Sequence, residues 1–133
     1  MRISRENYRR YIRANSTVAT PAAVPPIVGA SMNSTEARYV REVLEPSRLA
    51  GEIREYRFQV EGLRLADNLF YYPDFRVIEA DWRVVFHEVK GGFVREDAWV
   101  KFKIAVQEHP YPFVLARWEK GNWAIELHVR EDR

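Results

Sequence analysis

Apolar positions recur along the chain with two periods, and the change between them marks out its elements. Ala37, Val40 and Leu44 follow Asn33-Ser34-Thr35-Glu36 at helical spacing, and Asn33 or Ser34 can cap the first amides of that helix. Pro46 predicts its end. From Gly51 the period becomes alternating, with Tyr56, Phe58 and Val60 on one face and Glu55, Arg57 and Gln59 on the other, which predicts a strand. A second strand is predicted from Leu69 to Ile78 and a third from Trp82 to Lys90, joined by the polar turn Glu79-Ala80-Asp81. After Gly91-Gly92, residues Glu96 to Glu108 return to helical spacing. Ala98, Phe102 and Ala105 share one face, and Asp97 sits near the amino end, where the helix dipole favours an acid. Two further strands, Tyr111 to Trp118 and Trp123 to Val129, flank the turn Lys120-Gly121-Asn122. The order αβββαββ predicts an α/β fold with a mixed central sheet flanked by helices.

The amino-terminal stretch follows neither period. Residues 1 to 13 carry five arginines against one glutamate, and residues 16 to 32 are rich in Pro and Ala and lack charge. Residues 1–33 are expected to be a flexible basic arm and linker, and residues 34–133 one domain. A chain of 133 residues with 47% hydrophobic content can bury one core of that size. No apolar run approaches the roughly 20 residues that cross a bilayer, and no apolar signal segment follows the basic start, so neither a membrane nor secretion is expected. The absence of cysteine removes disulfides, thiolate chemistry and cysteine-bound zinc, and leaves oxygen ligands and hard cations as the metal chemistry open to the chain. The overall charge of +2 is carried by the arm; beyond residue 13 acidic side chains outnumber basic ones. Any nucleic-acid contact by the body must therefore be local.

One local site stands out. Alternation puts Asp74 with Tyr72, Arg76 and Ile78 in the second strand, and Glu88 with Val84, Phe86 and Lys90 in the third. A hairpin turning near residue 80 or 81 places Asp74 opposite His87 or Glu88, as close cross-strand neighbours. Two carboxylates then converge from separate strands, with Lys90 two residues on. Such a pair resists joint ionisation unless a cation lies between, and magnesium takes one or two carboxylates while keeping several waters. The carbonyl of Val89 is a candidate third ligand. Magnesium there would polarise a phosphate and acidify a bound water, and Lys90 would orient that water or offset transition-state charge.

Pro73-Asp74 followed by Glu88-Val89-Lys90 resembles the PD-(D/E)XK nuclease superfamily. The segments NSTEARY, YYPDF, HEVKGGFVREDAWVKFK and HPYPF resemble a family of small phage-encoded endonucleases related to Holliday-junction resolvases, over roughly residues 33 to 118. The resemblance implies a restriction-endonuclease-like αβββαβ core and an endonuclease that hydrolyses phosphodiester bonds with magnesium, or manganese as its substitute. It implies branched or recombination-intermediate DNA such as a four-way junction as substrate, a homodimer making paired incisions, and a place in the cytoplasm, that of the host if phage-encoded. By resemblance Asp74 and Glu88 hold metal, Lys90 assists the nucleophile, and Glu36 matches an acidic residue directed towards the metal. The glutamine-plus-tyrosine helix motif of the exonuclease branches is missing, since Gln107 has no matching tyrosine.

Each feature has a plainer reading beside it. Glu88 and Lys90 also fit a surface ion pair worth under about 1 kcal/mol, and Glu36 also fits a capping box with Asn33 or Ser34. Arg95, Lys101 and Lys103 are candidate DNA contacts whose alternative is a solvated helix face. His87 points away from Glu88 by alternation and is expected to be packed or hydrogen-bonded, not a ligand. The tryptophans at 82, 99, 118 and 123 and the pair Tyr71-Tyr72 offer stacking platforms, but most are expected in the core. A noncatalytic nucleic-acid-binding module and a structural protein with a stabilising cation are the rival functions.

Overall fold

The computed structural model describes residues 31–131; the first 30 residues, which hold the expected basic arm and nearly all of its linker, lie outside that range. Helix α1, Ser34–Tyr39, opens on a capping box: the Asn33 side chain accepts from the Glu36 N–H at 2.8 Å, and Glu36 Oε1 accepts from the Asn33 N–H at 2.9 Å. Pro46 does not end the helix. The chain widens into a π turn over Val40–Leu44, where the Glu45 N–H reaches back to the Val40 carbonyl, and continues as α2, Glu45–Leu49. Proline lacks an N–H and its ring crowds the preceding turn; one wide turn relieves both, so the rod survives. It stops at Gly51, whose φ of +78° closes the helix in the left-handed region.

Seven strands follow: β1 Ile53–Phe58, β2 Leu63–Ala66, β3 Leu69–Tyr71, β4 Phe75–Glu79, β5 Val84–Gly91, β6 Phe113–Glu119 and β7 Asn122–His128, with α3, Glu96–Glu108, between β5 and β6. The main sheet has the order β1-β4-β5-β6-β7, and β2 and β3 form a separate two-stranded sheet. All main-sheet pairings are antiparallel except β5–β6, which is parallel. A parallel pair needs a long crossover, and α3 supplies it. The fold is therefore mixed α/β around a mixed sheet, as the two periods predict.

The expected second strand, Leu69 to Ile78, is two strands in two sheets. Pro73 cannot donate to a ladder, and the chain breaks at Tyr72-Pro73-Asp74 before re-entering as β4. Its first half instead pairs back on β2, a strand of only four residues that carries too little alternation to be seen beforehand. The first strand is also shorter than expected: it ends at Phe58, Gln59 takes a positive φ of 47° and Val60 is exposed.

Two cores cover the two faces of the sheet. On one, Tyr39 and Leu44 of the first helical rod pack on Tyr56, Phe58, Phe75, Val77, Val89 and Ala116. On the other, Phe102, Ala105 and Val106 of α3 pack on Phe86, Phe113 and Leu115, with Leu63 and Tyr71 of the small sheet completing the cover. Nearly all of the largest side chains in this interior are Phe, Tyr and Leu. The tryptophans reach the core only in part: Trp123 and Trp99 are half-buried against the first and second core, Trp118 is half-buried and Trp82 is exposed beneath Arg54. Among the described residues no helix is long and apolar enough to cross a membrane.

His87 lies on the first face, where its Nδ1 meets the Tyr39 hydroxyl at 2.7 Å, as the alternation of β5 requires. Burial pushes the Tyr39 phenol up, so it stays protonated and donates, and burial pushes the His87 ring down to about 4. A base whose folded value lies below its unfolded one contributes full stability above the unfolded value and loses it as pH falls. Stability should thus decline from about pH 6.5 towards pH 4, by up to about 3 kcal/mol from this group. Urea unfolding of wild type and His87→Gln across that range checks it: the variant should lack this part of the slope, and parallel curves would show that His87 does not carry it.

Candidate functional site

The site is made by the place where β4 starts late. The β4–β5 ladder begins at Phe75 opposite His87, so continuing the register sets Asp74 opposite Glu88, one of the two partners the hairpin allows. With no β4 strand beyond that point, the segment Glu88–Gly91 pairs through β6 on its other side. Asp74 fills part of the gap: its Oδ2 accepts the Val89 N–H at 2.8 Å. A strand residue directs its N–H and C=O to the same edge, so the Val89 carbonyl also turns towards the break, where it was expected as a ligand.

Three carboxylates are buried here: Asp74 is 8% exposed, Glu88 6% and Glu36 7%. Glu36 does both things open to it, because it closes the capping box through Oε1 and also lies within hydrogen-bonding reach of Asp74. Close approach of α1 to β5 makes this contact possible. A Cβ on Gly91 would stand 2.8 Å from Thr35 Oγ1, nearer than a side chain tolerates, so the glycine lets Thr35 and Glu36 settle onto the end of the strand.

Glu88 is held on both oxygens. Oε2 accepts a short hydrogen bond from the Tyr71 hydroxyl, and Oε1 lies 3.0 Å from Lys90 Nζ. Burial first, and then the Glu88 charge, pushes the Tyr71 phenol far up, so it remains a donor. Lys90 is half-buried, which works against its ammonium, but Glu88, Asp74 and Glu36 outweigh that and raise its pKa. The ion pair is thus no surface contact. Asp74 shows the cost of the arrangement: burial, then the Glu88 charge, hold its carboxyl far above the usual carboxylate range, with the Val89 N–H pulling the other way and Glu36 adding to the rise.

The donor set suits a hard cation. Two facing carboxylates and a backbone carbonyl are oxygen ligands, each carboxylate keeps lone pairs beyond those already used, and magnesium completes its shell with water. Among the described residues no group of three or more His, Asp or Glu side chains is arranged to hold a metal. His109 bonds the Arg64 carbonyl and His128 pairs with Glu126; neither is near this set.

The three candidate DNA contacts are not drawn into the centre. Arg95 precedes α3 and pairs with Asp97 at 3.5 Å, both largely exposed. Lys101 and Lys103 are exposed on α3, Lys101 beside an open groove with Leu69, Phe93 and Val100, and Lys103 with Nζ 5.9 Å from the Trp99 ring. The tyrosine pair divides. Tyr71 points inward to Glu88, and Tyr72 is 62% exposed. The donor role of Tyr71 has no signal in the sequence beyond the rule that a buried tyrosine hydroxyl finds a partner. Comparison with protein-family models, curated proteins and solved structures gives no match.

A carboxyl that resists ionisation destabilises the fold as pH rises past its unfolded value, because the unfolded chain then holds fewer protons. With divalent cations chelated, Asp74→Asn should therefore raise stability at pH 8 by about 1–2 kcal/mol, and the gain should shrink at pH 5. Chemical denaturation at both pH values checks it; an equal or lower stability for the variant at pH 8 would contradict the buried repulsion.

Proposed function

We propose that this chain is a magnesium-dependent endodeoxyribonuclease of the PD-(D/E)XK kind. The observation that carries the reading is the convergence of Asp74, Glu88 and Lys90 at a break in the central sheet, with both carboxylates buried. The order helix, β1, β4, β5, α3, β6 supports an αβββαβ core of the restriction-endonuclease-like type, with the β2–β3 hairpin inserted ahead of the site.

On this reading Asp74, Glu88 and the Val89 carbonyl hold the cation, which supplies Lewis acidity towards the phosphate and an acidified water. The chain's own residues do the rest. Val89 N–H fixes one Asp74 oxygen, and the lone pairs left on that carboxylate would be open to the cation. Tyr71 and Lys90 fix the Glu88 carboxylate from two sides, so it is set in place before substrate arrives. Lys90, kept charged by its acidic neighbours, offers a proton donor and a positive charge at the reacting phosphate, where charge accumulates in the transition state. Branched DNA and a homodimer that cuts both strands belong to the proposal through the motif resemblance. Arg95, Lys101 and Lys103 lie where longer DNA can meet α3, as screened phosphate contacts.

Cleavage of a labelled four-way junction and a matched linear duplex tests the reading, with magnesium or chelator and with wild type beside Asp74→Ala and Lys90→Ala. Magnesium-dependent cutting should fall by at least about 100-fold in both variants, and faster cutting of the junction supports the branched substrate. Wild type that cuts neither DNA with magnesium or manganese contradicts the catalytic reading and favours a binding module.

A further inference from the structure

We infer that Lys90 and Arg117 form a two-cation subsite for a phosphate oxyanion on the wall of the Asp74–Glu88 centre. The strands make the pair: β5 and β6 are parallel with Lys90 in register with Arg117, and register partners point to the same face. That face is the one carrying Phe86, Glu88, Phe113 and Leu115, under α3. Lys90 already pairs with Glu88, so an anion between the two strands would share the ammonium and have Arg117 as its second cation.

Arg117 is the unusual member. It is half-buried, its guanidinium carbon lies 5.7 Å from the Trp99 ring centroid, and its buried Nε has no hydrogen-bond partner. Among the described residues it forms no ion pair within 4.0 Å; of the other arginines without one, Arg41 and Arg130 are exposed and Arg54 gives its Nε to the Ala80 carbonyl, while Arg38, Arg48, Arg57, Arg64, Arg76, Arg83 and Arg95 are paired. Arg76 makes the contrast sharpest. It has the same orphaned Nε on the same face two strands away, but its terminal nitrogens are taken by Glu61 at 2.5 Å and Glu55 at 3.2 Å. A buried donor without an acceptor is costly, and in Arg117 that donor is the Nε alone. Its terminal nitrogens, which are not among the buried unpartnered atoms, are the part of the fork that can face a phosphate, and Trp99 limits the directions in which it can turn. Lys90 lies closer to Glu88 and Arg117 one strand further out, so an oxyanion between them sits beside the carboxylate pair and not on top of it.

The identity of the anion as a phosphodiester rests on the nuclease reading, whereas the existence of the subsite does not. Two measurements on the full chain keep these apart. In the first, the thermal midpoint is followed with inorganic phosphate against chloride at equal ionic strength. Wild type should gain from phosphate, Arg117→Lys should gain less, and Arg117→Gln should lose at least half of the gain; midpoints without phosphate show whether each variant folds. A wild-type gain no larger than in chloride, or the same gain in Arg117→Gln and Arg117→Lys, overturns the subsite. In the second, binding of labelled duplex is measured over a salt series in calcium. Arg117→Gln should lower the slope of log affinity against log salt by about 0.9, the value for one phosphate contact. An unchanged slope with an Arg117-dependent phosphate gain overturns the phosphodiester assignment and leaves a site for a smaller phosphate. If wild type binds and cuts no DNA yet shows that gain, the subsite stands and the nuclease reading falls.

Discussion

Two buried carboxylates facing each other across the end of a strand ladder are the constraint from which the rest of the site follows. Asp74 and Glu88 are each less than a tenth exposed, and two like charges at such a place cannot both ionise without compensation. The surroundings supply compensation in pieces: the Val89 N–H for Asp74, the Tyr71 hydroxyl and the Lys90 ammonium for Glu88. Even so, the Asp74 carboxyl still resists ionisation, by burial first and then by the Glu88 charge. A cation between the two would complete the balance, and the chain offers it oxygen ligands only.

Several features of the fold make sense as the means of holding that pair. The Tyr72-Pro73-Asp74 break ends one sheet and starts the other, which frees the Asp74 side chain and the edge of β5 at one point. The β2–β3 hairpin brings Tyr71 over the site and closes it from the α3 side, its ring packed near Phe102 and Phe113. From the opposite side α1 delivers Glu36, and the missing side chain of Gly91 allows the approach. The π turn before Pro46 keeps the helical rod continuous to Leu49, and Tyr39 and Leu44 of that rod pack into the first core. Elements far apart in sequence therefore meet at one small region, and each is short.

Much of this was legible from period and chemistry. Alternation along β5 placed Glu88 and Lys90 together and His87 on the far side, because a strand has only two faces. Antiparallel pairing across a short turn brought Asp74 to Glu88 to within one residue of register. Asn33 and Glu36 marked the helix start, and the return of helical spacing after Gly92 marked the crossover. What escaped was set by tertiary contact. The four residues of β2 carry too short a pattern, and the split of the second strand needs the partner that claims Leu69–Tyr71. Pro46 reads as a stop only if a helix cannot widen. Tyr71 and Arg117 look like ordinary strand residues until β3 and β6 are placed beside β5. The tryptophans, large and apolar, pointed to the core, but the interior is filled by Phe, Tyr and Leu.

Direct binding of a divalent cation tests the central claim that Asp74 and Glu88 form one cation site. Manganese titration followed by electron paramagnetic resonance reports free and bound ion without requiring DNA or turnover. Wild type should bind a manganese ion that is lost or weakened by at least about tenfold in both Asp74→Asn and Glu88→Gln, in line with removal of one of two direct ligands. Binding of equal strength in wild type and both variants, or none in wild type, would contradict it.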